Sequence, residues 1–132
     1  MLAIWSCTGS AADKMGGRVV AVVKDLFFVA RIRETARLAN VPLEFARTPE
    51  ELETALAAAP ASFVLMDLTT PSWDYEALFQ AVEGSGSRPP VVAFTTHALA
   101  QQTKPLHARC ERVVTKETLT QELGEMLKGA LR

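Results

Sequence analysis

Ser62-Phe63-Val64-Leu65-Met66-Asp67-Leu68-Thr69-Thr70-Pro71 is the stretch on which the reading of this chain turns. Phe63, Val64, Leu65 and Met66 are apolar, Asp67 is a carboxylate, and Pro60 and Pro71 bound the run. So short an apolar run between prolines predicts a strand buried on both faces, as in a parallel sheet. A carboxylate at the end of such a strand stands where open α/β sheets take their ligands, outside the carboxyl ends of the strands. Asp before Thr-Thr-Pro is equally ordinary turn chemistry. Both readings of Asp67 are open on this stretch alone.

Upstream, Val19-Val20-Ala21-Val22-Val23 is a second buried-strand run, followed by Lys24 and Asp25. Phe28, Val29, Ile32, Ala36 and Ala39 then form one helical stripe over residues 26–40, with Arg31, Arg33, Glu34 and Arg37 largely off it. Asn40 and Pro42 end that helix. Leu43-Glu44-Phe45-Ala46 alternates as a short edge strand. Thr48-Pro49-Glu50-Glu51 combines a capping Thr, Pro at the first helical position and an acid at the third. This helix runs to about Ala59.

Downstream, Ser72 or Asp74 caps a helix through Leu78, Phe79 and Val82 that closes at Gly84. Residues 90–95 are a fourth strand ending in Thr95. A loop is expected next, then a short helix over residues 103–109 with Pro105 in its first turn. Arg112-Val113-Val114-Thr115 is a fifth strand. Residues 117–131 are a last helix, apolar at Leu119, Leu123, Met126, Leu127 and Ala130, with Thr118 and Gln121 as a capping box. Strands and helices alternate throughout. That pattern predicts a three-layer α/β sandwich, and the flavodoxin-like order 2-1-3-4-5 is the common five-strand solution.

The 132 residues suffice for one domain, with residues 1–17 read as an N-terminal appendage and 18–132 as the folded body. Packing of Ile4 and Trp5 onto the body is the expectation for this segment. Hydrophobic residues make up 48% and charged residues 22%, which excludes a disordered chain. A net charge of -1 gives no whole-molecule pull toward nucleic acid or an anionic membrane. No apolar run approaches the roughly 20 residues that span a bilayer. Cys7 and Cys110 are far apart and form no CxxC, and with only His97 and His107 to add they make no metal set. Free thiols in a reducing cytoplasm follow.

In the expected topology Asp25, Asp67 and Thr95 share one end of the sheet. Two carboxylates beside a hydroxyl suit a hard divalent cation with a phosphoryl group. The turn after the first strand, Lys24-Asp25-Leu26-Phe27-Phe28, carries no glycine, which argues against a dinucleotide or P-loop enzyme. No nucleophile elbow, triad or zinc motif occurs. Solvent exposure is the expectation for His97 and His107, with a contact to the site as the alternative for a His after the fourth strand. Trp73 and Tyr75 are read as helix-start packing, with a partner-facing aromatic patch as the alternative.

With these residues in place, residues 18–131 resemble the CheY-like receiver domain of bacterial two-component response regulators. Asp67 with Pro71 four residues later matches the phosphoacceptor and its downstream Pro, Thr95 the switch hydroxyl, and Asp25 the second acid after the first strand. The resemblance implies Asp67 as acceptor, Mg²⁺ held by Asp25, Asp67 and the Thr69 backbone carbonyl, and a cytoplasmic monomer or weak homodimer. Its implied partner is a histidine kinase or a downstream signalling protein.

The sequence departs from the pattern at several positions. Lys24 replaces the first acid, Thr115 stands where the family has Lys, Lys116 comes one residue late, Arg112 takes the aromatic switch position, and Tyr75 replaces a typical Gly. These departures give a divergent receiver, or pseudo-receiver, that works through protein contacts with little or no phosphorylation. The alternative is a phosphoaccepting single-domain response regulator using Asp67 with Mg²⁺. Lys24 is expected to reach the Asp67 carboxylate and imitate the missing cation.

Overall fold

Residues 18–129 are described by the structure, a computed structural model. The expected appendage over residues 1–17 lies outside them, as does Ala130 of the last apolar stripe. The elements are β1 (Val19–Val22), α1 (Leu26–Ala39), β2 (Leu43–Phe45), α2 (Pro49–Ala58), β3 (Phe63–Asp67), α3 (Tyr75–Glu83), β4 (Val91–Thr95), a 3-10 turn (His97–Leu99), α4 (Ala100–His107), β5 (Arg112–Thr115) and α5 (Lys116–Gly129). All strand pairs are parallel, in the order β2-β1-β3-β4-β5. The predicted architecture is the one observed.

Side-chain alternation along the strands divides the core between the two faces of the sheet. Val19, Ala21, Phe63, Leu65 and Phe94 pack with Phe28, Ile32, Leu119 and Leu123, which come from α1 and α5. Val20, Val22, Val64, Met66 and Ala93 pack with Leu52, Leu56, Leu78 and Phe79, which come from α2 and α3. β3 is buried along its whole length, as its apolar run predicts.

The helix ends follow their local chemistry. Asp25 caps α1, and Asn40 closes it in the left-handed region at φ 63°. An asparagine takes that conformation at small cost. Thr48 accepts from the Glu51 amide at 3.0 Å, while Glu51 Oε1 accepts from the Arg47 amide at 2.8 Å. Asp74, rather than Ser72, caps α3.

Two boundaries differ from expectation. α4 begins at Ala100, and Pro105 sits inside it instead of in a first turn. The preceding 3-10 turn, capped by Thr96 at 3.2 Å from the Leu99 amide, starts the coil early. In so short a helix Pro105 forfeits a single backbone bond, so the break expected of an interior proline does not develop. α5 starts at Lys116, because the Thr115 hydroxyl accepts from the Thr118 amide at 3.1 Å. Thr115 is therefore the cap, and the Thr118–Gln121 box does not form the helix start.

Arg109 binds the end of α4 to α3. Its guanidinium stacks 4.9 Å from the centre of the Phe79 ring and pairs with Glu76 at 2.6 Å and Glu83 at 3.0 Å.

Candidate functional site

Asp25 follows β1, Asp67 ends β3 and Thr95 ends β4. Because β1 and β4 flank β3 in a parallel sheet, all three stand along its carboxyl edge. That edge is the place where this class of sheet binds ligands. Sequence reasoning foresaw this convergence.

Asp67 is buried, with 4% of its surface exposed. The chain turns sharply after β3, so the next residues fold back on its carboxylate. Oδ1 accepts from the Thr69 amide at 2.7 Å and from the Thr69 hydroxyl at 2.5 Å. Oδ2 accepts from the Thr70 hydroxyl at 3.4 Å. A buried carboxylate must find such donors to offset its lost hydration. The turn-cap reading of Asp67 is thus realised in the geometry, at the very position the ligand-site reading also requires.

Tyr75, at the start of α3, fastens the same turn. Its hydroxyl donates to the Asp67 carbonyl at 2.7 Å and accepts from the Thr70 amide at 3.0 Å. Burial pushes its phenol up to about 12. Trp73 meets the Tyr75 ring edge-on, with centroids 6.4 Å apart. Sequence reasoning gave Tyr75 helix-start packing or a place in a partner-facing aromatic patch, and no hydrogen-bonding role. The available signal was chemical: a tyrosine beside a buried turn brings a hydroxyl that has to be paired.

Asp25 divides its carboxylate between two tasks. Oδ1 caps α1 by accepting from the Phe27 amide at 2.9 Å and the Phe28 amide at 3.3 Å. Oδ2 receives Lys116 Nζ at 3.4 Å. The Phe28 amide holds the Asp25 carboxyl below its ordinary range against the opposing pull of partial burial, and the Phe27 amide and Lys116 reinforce that effect. Lys116 also lies 4.9 Å from the Phe28 ring centre. A surface hollow beside this pair is lined by Asp25, Phe27, Phe28, Arg31, Glu34 and Lys116.

Among the described residues the cation paired with a carboxylate at this edge is Lys116, and its partner is Asp25. Lys24 is exposed, and among the described residues no ion pair joins it to Asp67. The expected Lys24–Asp67 contact is not made. The Asp67 oxygens are already satisfied by threonine donors, so nothing offsets the dehydration of the Lys24 ammonium.

Thr95 is buried, and its hydroxyl meets Thr103 Oγ1 at 3.2 Å. Thr103, buried on α4, in turn meets His107 Nε2 at 2.8 Å. His107 is thus partly buried and hydrogen-bonded instead of fully exposed. At the far edge of the sheet Arg112 pairs with Glu122 of α5 at 2.8 Å.

The strand order and the alternating helices are those of one known architecture. The fold is that of a CheY-like receiver domain. Among solved structures, the receiver domain of the sensor histidine kinase PA1611 from Pseudomonas aeruginosa superposes with a TM-score of 0.71 at 19% identity, over 88% of this chain and 98% of that one. Chemotaxis response regulator CheY4 of Vibrio cholerae gives 0.70 at 17% identity, over 86% and 98%. A response regulator from Hahella chejuensis gives 0.67 at 19% identity, over 87% and 92%. The Pseudomonas structure contains a magnesium ion coordinated in its active-site cleft. No family model and no curated protein matches the sequence.

The receiver fold carries an expectation of Mg²⁺, which the donor set here can be weighed against. Asp25 and Asp67 are the carboxylates at the edge, and Lys24 holds the position of a third. One Asp25 oxygen caps a helix and the other faces an ammonium, while both Asp67 oxygens accept from threonines. Mg²⁺ demands near-octahedral oxygen ligation and dehydrates reluctantly. These residues, as arranged, do not fit a resident Mg²⁺. Among the described residues no helix is long and apolar enough to cross a membrane.

Proposed function

We propose that this chain is a receiver-like signalling module of the two-component type that acts through protein–protein contact, its conformation set by a partner more than by phosphorylation of Asp67. The observation that carries this reading is the occupied edge. Lys116 pairs with Asp25, and the turn threonines satisfy Asp67. Entry of Mg²⁺ and a phosphoryl group would have to displace both arrangements. The partner is a histidine kinase or a downstream signalling protein in the cytoplasm. Support for a docking role comes from α1, where Phe27 is 91% exposed beside Leu26 and Arg31. Adjacent exposed apolar side chains, here Leu26 and Phe27, are the kind of surface that protein contacts use.

The second reading keeps Asp67 as a phosphoacceptor with Mg²⁺ on Asp25, Asp67 and the Thr69 carbonyl. Its support is positional: the carboxylate ends the central strand, with Thr95 at the end of the neighbouring one. In that reading Asp67 attacks the phosphorus of a phosphohistidine, the P–N bond breaks, and the released imidazole takes up a proton.

Incubation with acetyl phosphate and Mg²⁺, read by intact mass, separates the two. The first reading expects no stoichiometric phosphoryl adduct on Asp67 and unchanged amide shifts on adding beryllofluoride. An adduct lost in Asp67→Asn would overturn it in favour of the second.

A further inference from the structure

Thr95, Thr103 and His107 form a continuous chain of exchangeable protons running from the carboxyl edge of the sheet to the end of α4. The links are 3.2 Å between the two hydroxyls and 2.8 Å between Thr103 Oγ1 and His107 Nε2. Both threonines are nearly closed to solvent. A fourth member, the Ala100 carbonyl, lies 3.3 Å from Thr103 Oγ1 and can only accept.

A hydroxyl carries one proton and two lone pairs, so this chain has a polarity. If His107 Nε2 is bare, it accepts from Thr103, and Thr103 can then accept from Thr95. The Thr95 proton points into the protein, leaving only lone pairs for the sheet edge. If Nε2 carries a proton, it donates to Thr103, and Thr103 can pass its own proton to Thr95. The Thr95 proton is then free to turn toward the sheet edge, where β4 ends next to β3. We propose that Thr103 and His107 are positioning residues for the Thr95 hydroxyl, the imidazole deciding whether Thr95 offers a proton or a lone pair at that edge. The donating state favours an anionic group there; the accepting state repels one. Nothing in this proposal requires that Asp67 be phosphorylated.

The surroundings leave the imidazole open to such a role. β4, against which α4 packs, carries no ionisable side chain. Lys104 shares the helix, His97 precedes it, and Glu111 and Arg112 follow it. Arg109 is held by Glu76 and Glu83 of α3. Among the described residues none of these forms an ion pair with the His107 ring.

The test is an NMR pH titration of the full chain, following the His107 ring together with the Thr95 and Thr103 amides and methyls. His97→Gln serves as background, so that His107 is the sole titrating imidazole. The Thr95 response is expected to share the His107 midpoint, to vanish in Thr103→Val while the ring still titrates, and to persist in Thr103→Ser. His107→Gln should abolish it with the fold intact by amide dispersion. A Thr95 response that survives Thr103→Val, or that follows another midpoint, would overturn the proposal. So would a Thr95 that stays silent while His107 titrates. Each outcome is independent of whether acetyl phosphate labels Asp67.

Discussion

Replacing Tyr75 by Phe removes one oxygen and keeps the ring. That oxygen donates to the Asp67 carbonyl at 2.7 Å and accepts from the Thr70 amide at 3.0 Å, so two backbone groups lose a partner at once. A protein hydrogen bond contributes about 1 kcal/mol net, and more when its loss strands a buried group. Two such bonds give a destabilisation of about 2 kcal/mol, or a melting temperature lower by about 7 °C for a domain of this size. Urea unfolding followed by Trp fluorescence measures the first figure and calorimetry the second. Hydrogen exchange locates the change: the Thr70 amide should lose protection while those of β1 keep theirs. A loss below about 0.5 kcal/mol with unaltered Thr70 exchange would refute the view that the phenol fastens this turn. The same variant carries a pH signature. The phenol ionises near 10 when unfolded and is pushed up to about 12 when folded. Between those values only the unfolded state has released the proton, so stability falls as pH rises from about 10 toward 12. Cys110, pushed up to about 11 by burial, acts in the same direction. The difference between wild type and Tyr75→Phe isolates the phenol, and that part of the slope should disappear in the variant.

Lys24→Asp adds a carboxylate at the carboxyl edge and removes a nearby cation. Mg²⁺ affinity, read by Trp73 fluorescence, should rise about tenfold, and an unchanged titration would mean that the occupied oxygens of Asp25 and Asp67 set the limit. Asp25→Ala strips the cap from α1 and should cost about 1 kcal/mol in urea, with Asp25→Asn recovering most of it. Leu52→Ala opens a cavity under a fully buried side chain and should cost about 2–5 kcal/mol by the same assay.

The sheet was legible because β1, β3 and β4 are largely apolar runs too short for a helix, and because Thr48, Pro49 and Asn40 punctuate their helices locally. Asp25, Asp67 and Thr95 were legible as a group for the same reason: Asp67 and Thr95 end strands, Asp25 stands in the turn after one, and strand order brings those positions together. The polar connections were not legible. Which cation approaches which carboxylate depends on a shift of one residue at the end of β5, where Thr115 is spent on capping α5 and Lys116 is turned toward Asp25. Lys24 looked equally able to serve, and sequence holds no record that the Asp67 oxygens were already taken. The Tyr75 hydroxyl and the Thr103–His107 contact join residues through space across a turn of chain. Hydrophobic periodicity is blind to such links. Pro105 misplaced the start of α4 because the rule against interior proline is calibrated on helices longer than this one.

Arg109 holds α3 and α4 together by two kinds of force that respond differently to the medium. Its ion pairs with Glu76 and Glu83 lie near solvent and weaken as added salt shortens the reach of charge to a few ångströms. Its stacking on Phe79 is a short-range contact with a buried ring and persists. Added salt therefore acts on the carboxylate half of this joint and spares the ring half, so the link between α3 and the residues just after α4 weakens with ionic strength without being lost.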